Sequence, residues 1–412
     1  MNLSRAINIY DLQRLAKNHL PSMVYDYIEG GCDDECGLVV NEESYRQHRL
    51  LPRYLVDVSE PKLGASFGGV PYTLPYGISP TGSAAVARPG IDLMLAAEAA
   101  AANVPFILSC VANASIENVM KVAPANTWFQ IYGLKDFAVT EDMVRRAIDA
   151  DVKTLVFSVD VPVSPNRERN RRSGFGLPVR MTPTMISEAL THPRWTTNYV
   201  ASRGFPLVEG WRKYAGANTS AHDVAVLVSR LFPSGSNTWE TLDRLRKLWP
   251  HKLLIKGIMH PGDAVQAIKS GADGIIISNH GGRQLDRAPS PLDVLPAIRS
   301  AIGSQAELAL DGGIRRGSDI VIAMCLGADF VFSGRPTLYG GAAAGRAGVK
   351  KALEIFKFEL SVVLAQIGCD DVTKLNADYI LSPTRAELDG DGGSSPEHEA
   401  PHRLASPARH ER

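Results

Sequence analysis

The chain has 412 residues, 45% of them hydrophobic and 21% charged, with 44 basic residues balancing 44 acidic ones. That length suits one large α/β barrel or two ordinary domains. A formal charge of zero lacks the basic excess of a nucleic-acid-binding protein, so no nucleic-acid partner is expected.

Taken in chain order, the opening MNLSRAINIYDLQRLAKNHL has no signal-peptide apolar core and reads as a folded helix, the start of a helical preface over residues 1–70. Short apolar runs then recur at 74–79, 106–110, 128–132 and 154–160, and after a long gap at 253–257, 274–279, 307–313 and 330–335. Most lack strict alternation, as strands buried on both faces of a parallel sheet do. Between them, residues 91–102, 141–150, 261–271 and 318–327 carry apolar residues at three- and four-residue spacing and predict helices, several closed by Gly or Asn. The longest apolar stretch, 93–108, is broken by Glu98 and Asn103, which makes it a buried helix running into a strand and not a membrane span. Eight such units predict a TIM (β/α)8 barrel over residues 71–381. From Ser382 onward the chain is rich in Pro, Gly, Ser and charged residues, and a disordered tail over 382–412 is expected.

The five cysteines, Cys32, Cys36, Cys110, Cys325 and Cys369, are an odd and scattered set that fits a reducing compartment better than a disulfide framework. Cys32 and Cys36 lie close together, but no second Cys/His pair stands at zinc spacing. They read as ordinary thiols, and no metal is expected.

Polar residues collect at the C-terminal ends of the eight runs: Ser79 with Thr81 and Gly82, Ser109, Gln130 with Tyr132, Ser158 with Asp160, Lys256, Ser278 with His280, Asp311, and Gly334 with Arg335. That end of a TIM barrel carries the active site. The sharpest motif is SNHGGRQLD (278–286), in which a strand delivers His280 to the mouth, a glycine pair turns the chain and Arg283 returns. Histidine is the usual general base near neutral pH, and arginine holds a carboxylate through two parallel hydrogen bonds. DGGIRRG (311–317) and SGRP (333–336) follow the last two strands, where barrels bind phosphate on bare backbone N–H groups, and Arg315 and Arg335 add charge there. A cofactor phosphate and a phosphorylated substrate satisfy such loops equally. Lys256 suits either a Schiff base or a positive charge beside a reduced cofactor.

Nearly a hundred residues separate the fourth and fifth runs, far beyond an ordinary βα loop. Within them, residues 177–216 hold Trp195, Tyr199, Phe205, Trp211 and Tyr214 among Arg180, Arg194, Arg203, Arg212 and Lys213, opposed by Glu188 and Glu209. Aromatic and basic character together predict peripheral contact with anionic lipid; a lid over the barrel or a subunit contact is the alternative.

With these residues in place, the chain resembles the FMN-dependent 2-hydroxy acid dehydrogenases and oxidases over roughly residues 5–380. The resemblance rests on LPSMVYDY (20–27) and SNHGGRQLD, while THPRW (191–195), LWPHKLLIKG (248–257) and LAQIGC (364–369) look most like the bacterial branch acting on (S)-mandelate. It implies FMN as cofactor, oxidation of an (S)-2-hydroxy acid to the 2-keto acid (benzoylformate from mandelate), and a quinone-type electron acceptor in the membrane. By the same resemblance His280 would be the base and Asp160 would stabilise its charged ring. Arg167 and Arg283 would hold the substrate carboxylate with help from Tyr27, and Tyr132 would bond near the reacting carbon. Lys256 would lie beside the flavin N1/O2 edge, with Thr81, Gly82, Ser109, Gln130, Ser158 and Ser278 along the ring system or ribityl chain. Asp311 would hold the ribityl hydroxyls, and Gly313, Arg315, Gly334 and Arg335 the phosphate. The family further implies a homo-oligomer, a tetramer, placed in the cytoplasm or peripherally on the inner face of the cell membrane; in mandelate-oxidising relatives the region of residues 177–216 is the membrane-attachment segment.

Two positions depart from the glycolate oxidase pattern. Gly82 stands where that pattern has alanine, which resembles the dehydrogenase branch that reacts poorly with oxygen. Val111 stands where it has a bulky aromatic, leaving room for an aryl or long substrate side chain. An oxygen-using oxidase of lactate or glycolate type remains an alternative, as does an FMN-barrel isomerase, which would share the glycine loops without needing Tyr27, Arg167, Arg283 and His280.

Overall fold

The computed structural model describes residues 2–174, 176, 183–202, 208–216 and 219–381. Three helices lead, α1 (Ile9–His19), α2 (Ser22–Glu29) and α3 (Cys36–Arg46), followed by an antiparallel hairpin, β1 (Ala65–Phe67) and β2 (Val70–Tyr72). Asn8 starts α1 by accepting from Asp11 N, which satisfies one of the free N–H groups of the first turn.

Eight parallel strands then close on themselves: β3 (Tyr76–Ile78), β4 (Phe106–Ser109), β5 (Thr127–Tyr132), β6 (Thr154–Ser158), β7 (Lys252–Ile258), β8 (Gly274–Ile277), β9 (Glu307–Asp311) and β10 (Phe330–Ser333), with β10 returning to β3. The expected TIM barrel is therefore present, each strand lying within the apolar run that predicted it or within a residue of it. Outer helices include α4 (Ile91–Ala102), α5 (Ile116–Val122) and α6 (Phe137–Asp149) in the first half of the barrel. The long excursion after β6 holds α7 (Glu168–Ser173), α8 (Pro183–Thr191), α9 (Pro193–Ala201), α10 (Arg212–Ala215), α11 (Ala221–Leu231) and α12 (Trp239–Leu248). The second half adds α13 (Pro261–Lys269), α14 (Pro291–Ile302), α15 (Gly317–Cys325), α16 (Arg335–Ala344) and α17 (Arg346–Gln366).

Period-two alternation positions the site. Ile107, Trp128, Val156, Leu254, Ile276, Ala309, Phe330 and Phe332 form one buried cluster with Phe67 and Tyr72 of the hairpin. Phe67 packs on Trp128 with ring centroids 5.8 Å apart and on Phe330 at 5.3 Å, so the hairpin plugs the end of the barrel opposite the strand C-termini. This hairpin straddles the end of the segment expected to be helical, 1–70, and its three-residue strands are too short to show a period. Two residues beyond the plug layer the same interior face is reached again, now by Ser109, Gln130, Ser158, Lys256, Ser278, Asp311 and Gly334.

The described part of the insertion is anchored to the barrel by the aromatic residues that the sequence assigned to a lipid-facing surface. Trp195, Tyr199 and Trp211 are buried. Trp195 Nε1 donates to Val86 O (3.1 Å), Trp211 Nε1 to Cys110 O (2.7 Å), and Tyr199 OH bonds Ala85 O. The large hydrophobic side chains left exposed among the described residues of 177–216 are aliphatic, Ile186, Leu190 and Val200, beside exposed Arg194, Arg212 and Lys213. Arg180, Arg203 and Phe205, like the expected tail over 382–412, lie outside the described residues. Among the described residues no helix is long and apolar enough to cross a membrane.

Candidate functional site

At the C-terminal mouth of the barrel is a cavity of about 480 Å³. Of the residues singled out from sequence, Tyr27, Thr81, Gly82, Tyr132, Arg167, Lys256, His280, Arg283, Asp311, Gly313, Arg315, Gly334 and Arg335 line it. Asp160, Ser109, Gln130, Ser158 and Ser278 stand behind that wall, and the last four are buried. Ser109 Oγ donates to Gln130 Oε1 (2.9 Å), while Gln130 Nε2 is buried without a partner.

A chain of charges runs beneath the mouth. His280 Nδ1 is 3.0 Å from Asp160 Oδ1, an ion-pair contact not aligned as a hydrogen bond. Asp160 Oδ2 is 3.7 Å from Lys256 Nζ, which lies 3.1 Å from Asp311 Oδ2. Lys256 also donates to Ser278 Oγ (2.6 Å), the same oxygen that accepts from His280 N (3.0 Å). Ser79, not assigned a role from sequence, donates to Asp311 Oδ2 (2.9 Å). Burial opposes the charge on Lys256, but Asp311 and Asp160 outweigh it and hold its pKa above the ordinary lysine value. Burial likewise opposes ionisation of Asp160, and there His280 and Lys256 outweigh it and hold the carboxyl below its ordinary value.

Local backbone geometry makes these approaches possible. Gly257, where the β7–β8 register shifts, has φ 106°, and a Cβ on it would stand 2.6 Å from Asp160 Cβ. The bare backbone lets Asp160 press against β7 beside Lys256. His280 itself has φ 59°, a left-handed conformation that costs a non-glycine residue free energy and that surrounding contacts must hold. Its backbone bond to Ser278 is one such contact.

The walls are strongly cationic. Arg167, Arg171, Lys256, Arg283, Arg315 and Arg335 face one carboxylate, Asp311. Among the described residues, Arg167, Arg283 and Arg335 have no acidic side chain within salt-bridge distance. Burial and the guanidinium groups of Arg167 and Arg335 push Arg283 well below its ordinary pKa, and burial lowers Arg167, whose Nε has no partner. Both features mark a site that gains from receiving an anion. Arg335 bonds four backbone carbonyls, at Ile28 (3.0 Å), Gly281 (2.9 Å), Glu29 (3.2 Å) and Gly30 (3.2 Å). Arg283 Nη1 donates to Gly30 O (2.6 Å). The two arginines thus hold the C-terminal end of α2, where free carbonyls favour cations, against the His280 loop.

The residues present fit FMN. Gly313 has φ 79°, and a Cβ on it would stand 1.8 Å from Asn41 O, so only bare backbone can pass at this point of the glycine loop. Arg315 Nε, Asp311 Oδ1 and Gln130 Nε2 are buried polar atoms without partners, a donor and acceptor set suited in turn to a phosphate, to hydroxyls and to a polar ring edge.

An apolar wall faces the charged one. Val111, Val161, Ala225, Val228 and Phe232 line the cavity, and the Phe232 and Tyr132 rings lie 4.3 Å apart between centroids. Sequence reasoning missed Val161, Ala225, Val228 and Phe232. The last three come from α11 and the residue after it, inside the insertion, where no strand period marks them.

The family model for FMN-dependent dehydrogenases matches residues 16–382. The (S)-mandelate dehydrogenase of Pseudomonas putida is 41% identical over 374 residues, covering 90% of this chain and 93% of that protein. The L-lactate oxidase of a Nostoc species is 38% identical, covering 92% and 99%. A crystal structure of (S)-mandelate dehydrogenase, described as a monotopic membrane protein, superposes with a TM-score of 0.88 at 40% identity, covering 92% of this chain and all of that one. The chain belongs to the FMN-dependent dehydrogenase family, and its cofactor is FMN.

The lowered pKa of Asp160 has a definite sign. A carboxyl depressed in the folded state contributes stability above its unfolded value, near 3.8, and loses it as pH falls. Between about pH 5 and pH 2 the wild-type urea midpoint should therefore fall more steeply than that of Asp160→Asn. Parallel declines would show that Asp160 is not held ionised by His280 and Lys256.

Proposed function

We propose that this chain oxidises an aryl (S)-2-hydroxy acid, with (S)-mandelate preferred and benzoylformate as product. The observation that carries the reading is the pair of half-buried arginines, Arg167 and Arg283, without acidic partners among the described residues, beside the His280–Asp160 pair in a cavity that also has an apolar wall. A small anion with an apolar substituent satisfies both walls at once; a phosphorylated sugar would leave the apolar wall facing hydroxyls.

Arg167 and Arg283 bind the carboxylate and fix the orientation of the hydroxyl-bearing carbon. Tyr27 OH, now donating to Gly82 O at 3.1 Å, lies where it can turn to the same carboxylate. With Nδ1 turned to Asp160, His280 offers Nε2 to the substrate and takes the proton that oxidation releases. Asp160 stabilises the charged imidazolium. Burial, followed by the charge of Asp160, raises the Tyr132 phenol well above its ordinary pKa, so it stays protonated as a donor to the substrate oxygen. Bound FMN supplies the two-electron acceptor, and Lys256 adds a positive charge at the site. Thr81, Gly82, Ser109, Gln130, Ser158, Ser278 and Asp311 are assigned to its ring and ribityl chain, and Gly313, Arg315, Gly334 and Arg335 to its phosphate loop.

The electron acceptor is assigned as a membrane quinone, reached from a peripheral position on the membrane. The exposed Ile186, Leu190 and Val200 of α8 and α9 and the monotopic character of the similar mandelate enzyme support this. Wild-type protein should co-sediment with anionic vesicles and Leu190→Glu should do so markedly less; equal sedimentation would remove this face as the attachment surface.

Substrate choice is tested at Val111, whose Cγ2 lies 2.6 Å from where a Cβ on Gly82 would stand. Enlarging it narrows the apolar side of the cavity. Val111→Trp should lower kcat/KM for (S)-mandelate by roughly tenfold or more while costing (S)-lactate less. Equal losses on both acids would contradict the aryl assignment.

A further inference from the structure

The segment between α2 and α3 crosses the loop that follows β8. Gly37 and Gly282 meet backbone to backbone, since a Cβ on Gly282 would stand 2.8 Å from Gly37 C. Cys32 Sγ donates to Gln284 O (2.9 Å), and Asp286 Oδ1 accepts from Gly37 N (3.1 Å). At this seam Asp34, Cys36 and Asp286 bring one ligand atom each within 4.8 Å of one another. The cluster is graded in exposure, from exposed Asp34 through half-buried Cys36 to buried Asp286.

A second observation comes from Asp286 alone. It is 4% exposed, one oxygen is taken by Gly37, and the other, Oδ2, is buried with no hydrogen-bond partner. A buried carboxylate oxygen without a donor costs free energy that a cation would recover. A thiolate with two carboxylates is a donor set that zinc accepts, with a fourth position left for water. Donor atoms around a tetrahedral zinc stand roughly 3.5 Å apart, so the cluster, within 4.8 Å as it stands, closes by small rotations of the exposed Asp34 and half-buried Cys36 side chains onto Asp286. Its present partner, Arg287 at 3.3 Å, is itself solvent-exposed and is a weak competitor.

We propose that Asp34, Cys36 and Asp286 form a zinc-binding site that ties the start of α3 to the loop carrying His280 and Arg283. Neither the flavin site nor the substrate assignment depends on it. In the sequence no second Cys/His pair stands at zinc spacing from Cys32 and Cys36, which is why no metal is expected there. The fold supplies carboxylates instead, one of them about 250 residues away in the chain.

The test uses the full chain with its flavin retained, cleared of metal by a chelator and then dialysed against zinc. Wild-type protein should retain a single zinc ion per chain and unfold at a higher temperature with zinc than without. Cys36→Ser and Asp34→Asn should each bind roughly tenfold more weakly or worse. Asp286→Asn is left aside because Asp286 also holds Gly37. Cadmium as a probe should give wild type an ultraviolet thiolate absorption that Cys36→Ser lacks. No stoichiometric zinc on wild type, or zinc held equally well by either variant, would overturn the site.

Discussion

A lysine ammonium buried at the mouth of the barrel is the constraint around which the site is arranged. Lys256 is 3% exposed, and taking its charge out of water is tolerated only because Asp311 lies 3.1 Å away and Asp160 3.7 Å away. Those carboxylates arrive from neighbouring parts of the barrel, Asp311 at the end of β9 and Asp160 two residues beyond β6. Ser278 completes the lysine's contacts and, through the same oxygen, braces the left-handed backbone at His280. Charge balance at Lys256 therefore fixes Asp160, and Asp160 in turn faces the imidazole.

Above this balanced layer the cavity is not balanced. Three arginines, Arg167, Arg283 and Arg335, enter with no acidic partner among the described residues. Part of the cost is met by the backbone, since Arg335 and Arg283 bond the carbonyl end of α2. Arg167 and Arg283 remain shifted towards loss of charge, which an anionic ligand would reverse. The N-terminal helices thus help to build the cavity as well as pack against the barrel. Through α2 they bring Tyr27 to the cavity and fasten the loop bearing His280.

Much of the fold and site was legible because both follow one period. Trp128, Gln130 and Tyr132 share one face of β5, running from the plug of the barrel to its mouth, and Leu254–Lys256, Ile276–Ser278 and Ala309–Asp311 repeat the step. An apolar run that ends in a polar residue on the inward face marks both a strand and a site. The residues that stayed hidden owe their place to tertiary packing. Val228 and Phe232 reach the cavity from α11 and the residue after it, whose position depends on how the insertion folds back. Trp195, Tyr199 and Trp211 looked like a lipid-facing set, yet their N–H and O–H groups bond barrel-side carbonyls at Val86, Ala85 and Cys110. Composition records that a segment is aromatic and basic; it does not record which way the rings turn.

The cationic wall and His280 together are proposed to serve an aryl 2-hydroxy acid. Anaerobic mixing of the flavin-loaded protein with (S)-mandelate and, separately, with (S)-lactate tests this assignment most directly, following the visible flavin absorbance. Rapid bleaching by mandelate and slower bleaching by lactate is the predicted result. Flavin that lactate bleaches faster would contradict the aryl preference, and flavin that neither acid bleaches would contradict 2-hydroxy acid oxidation itself.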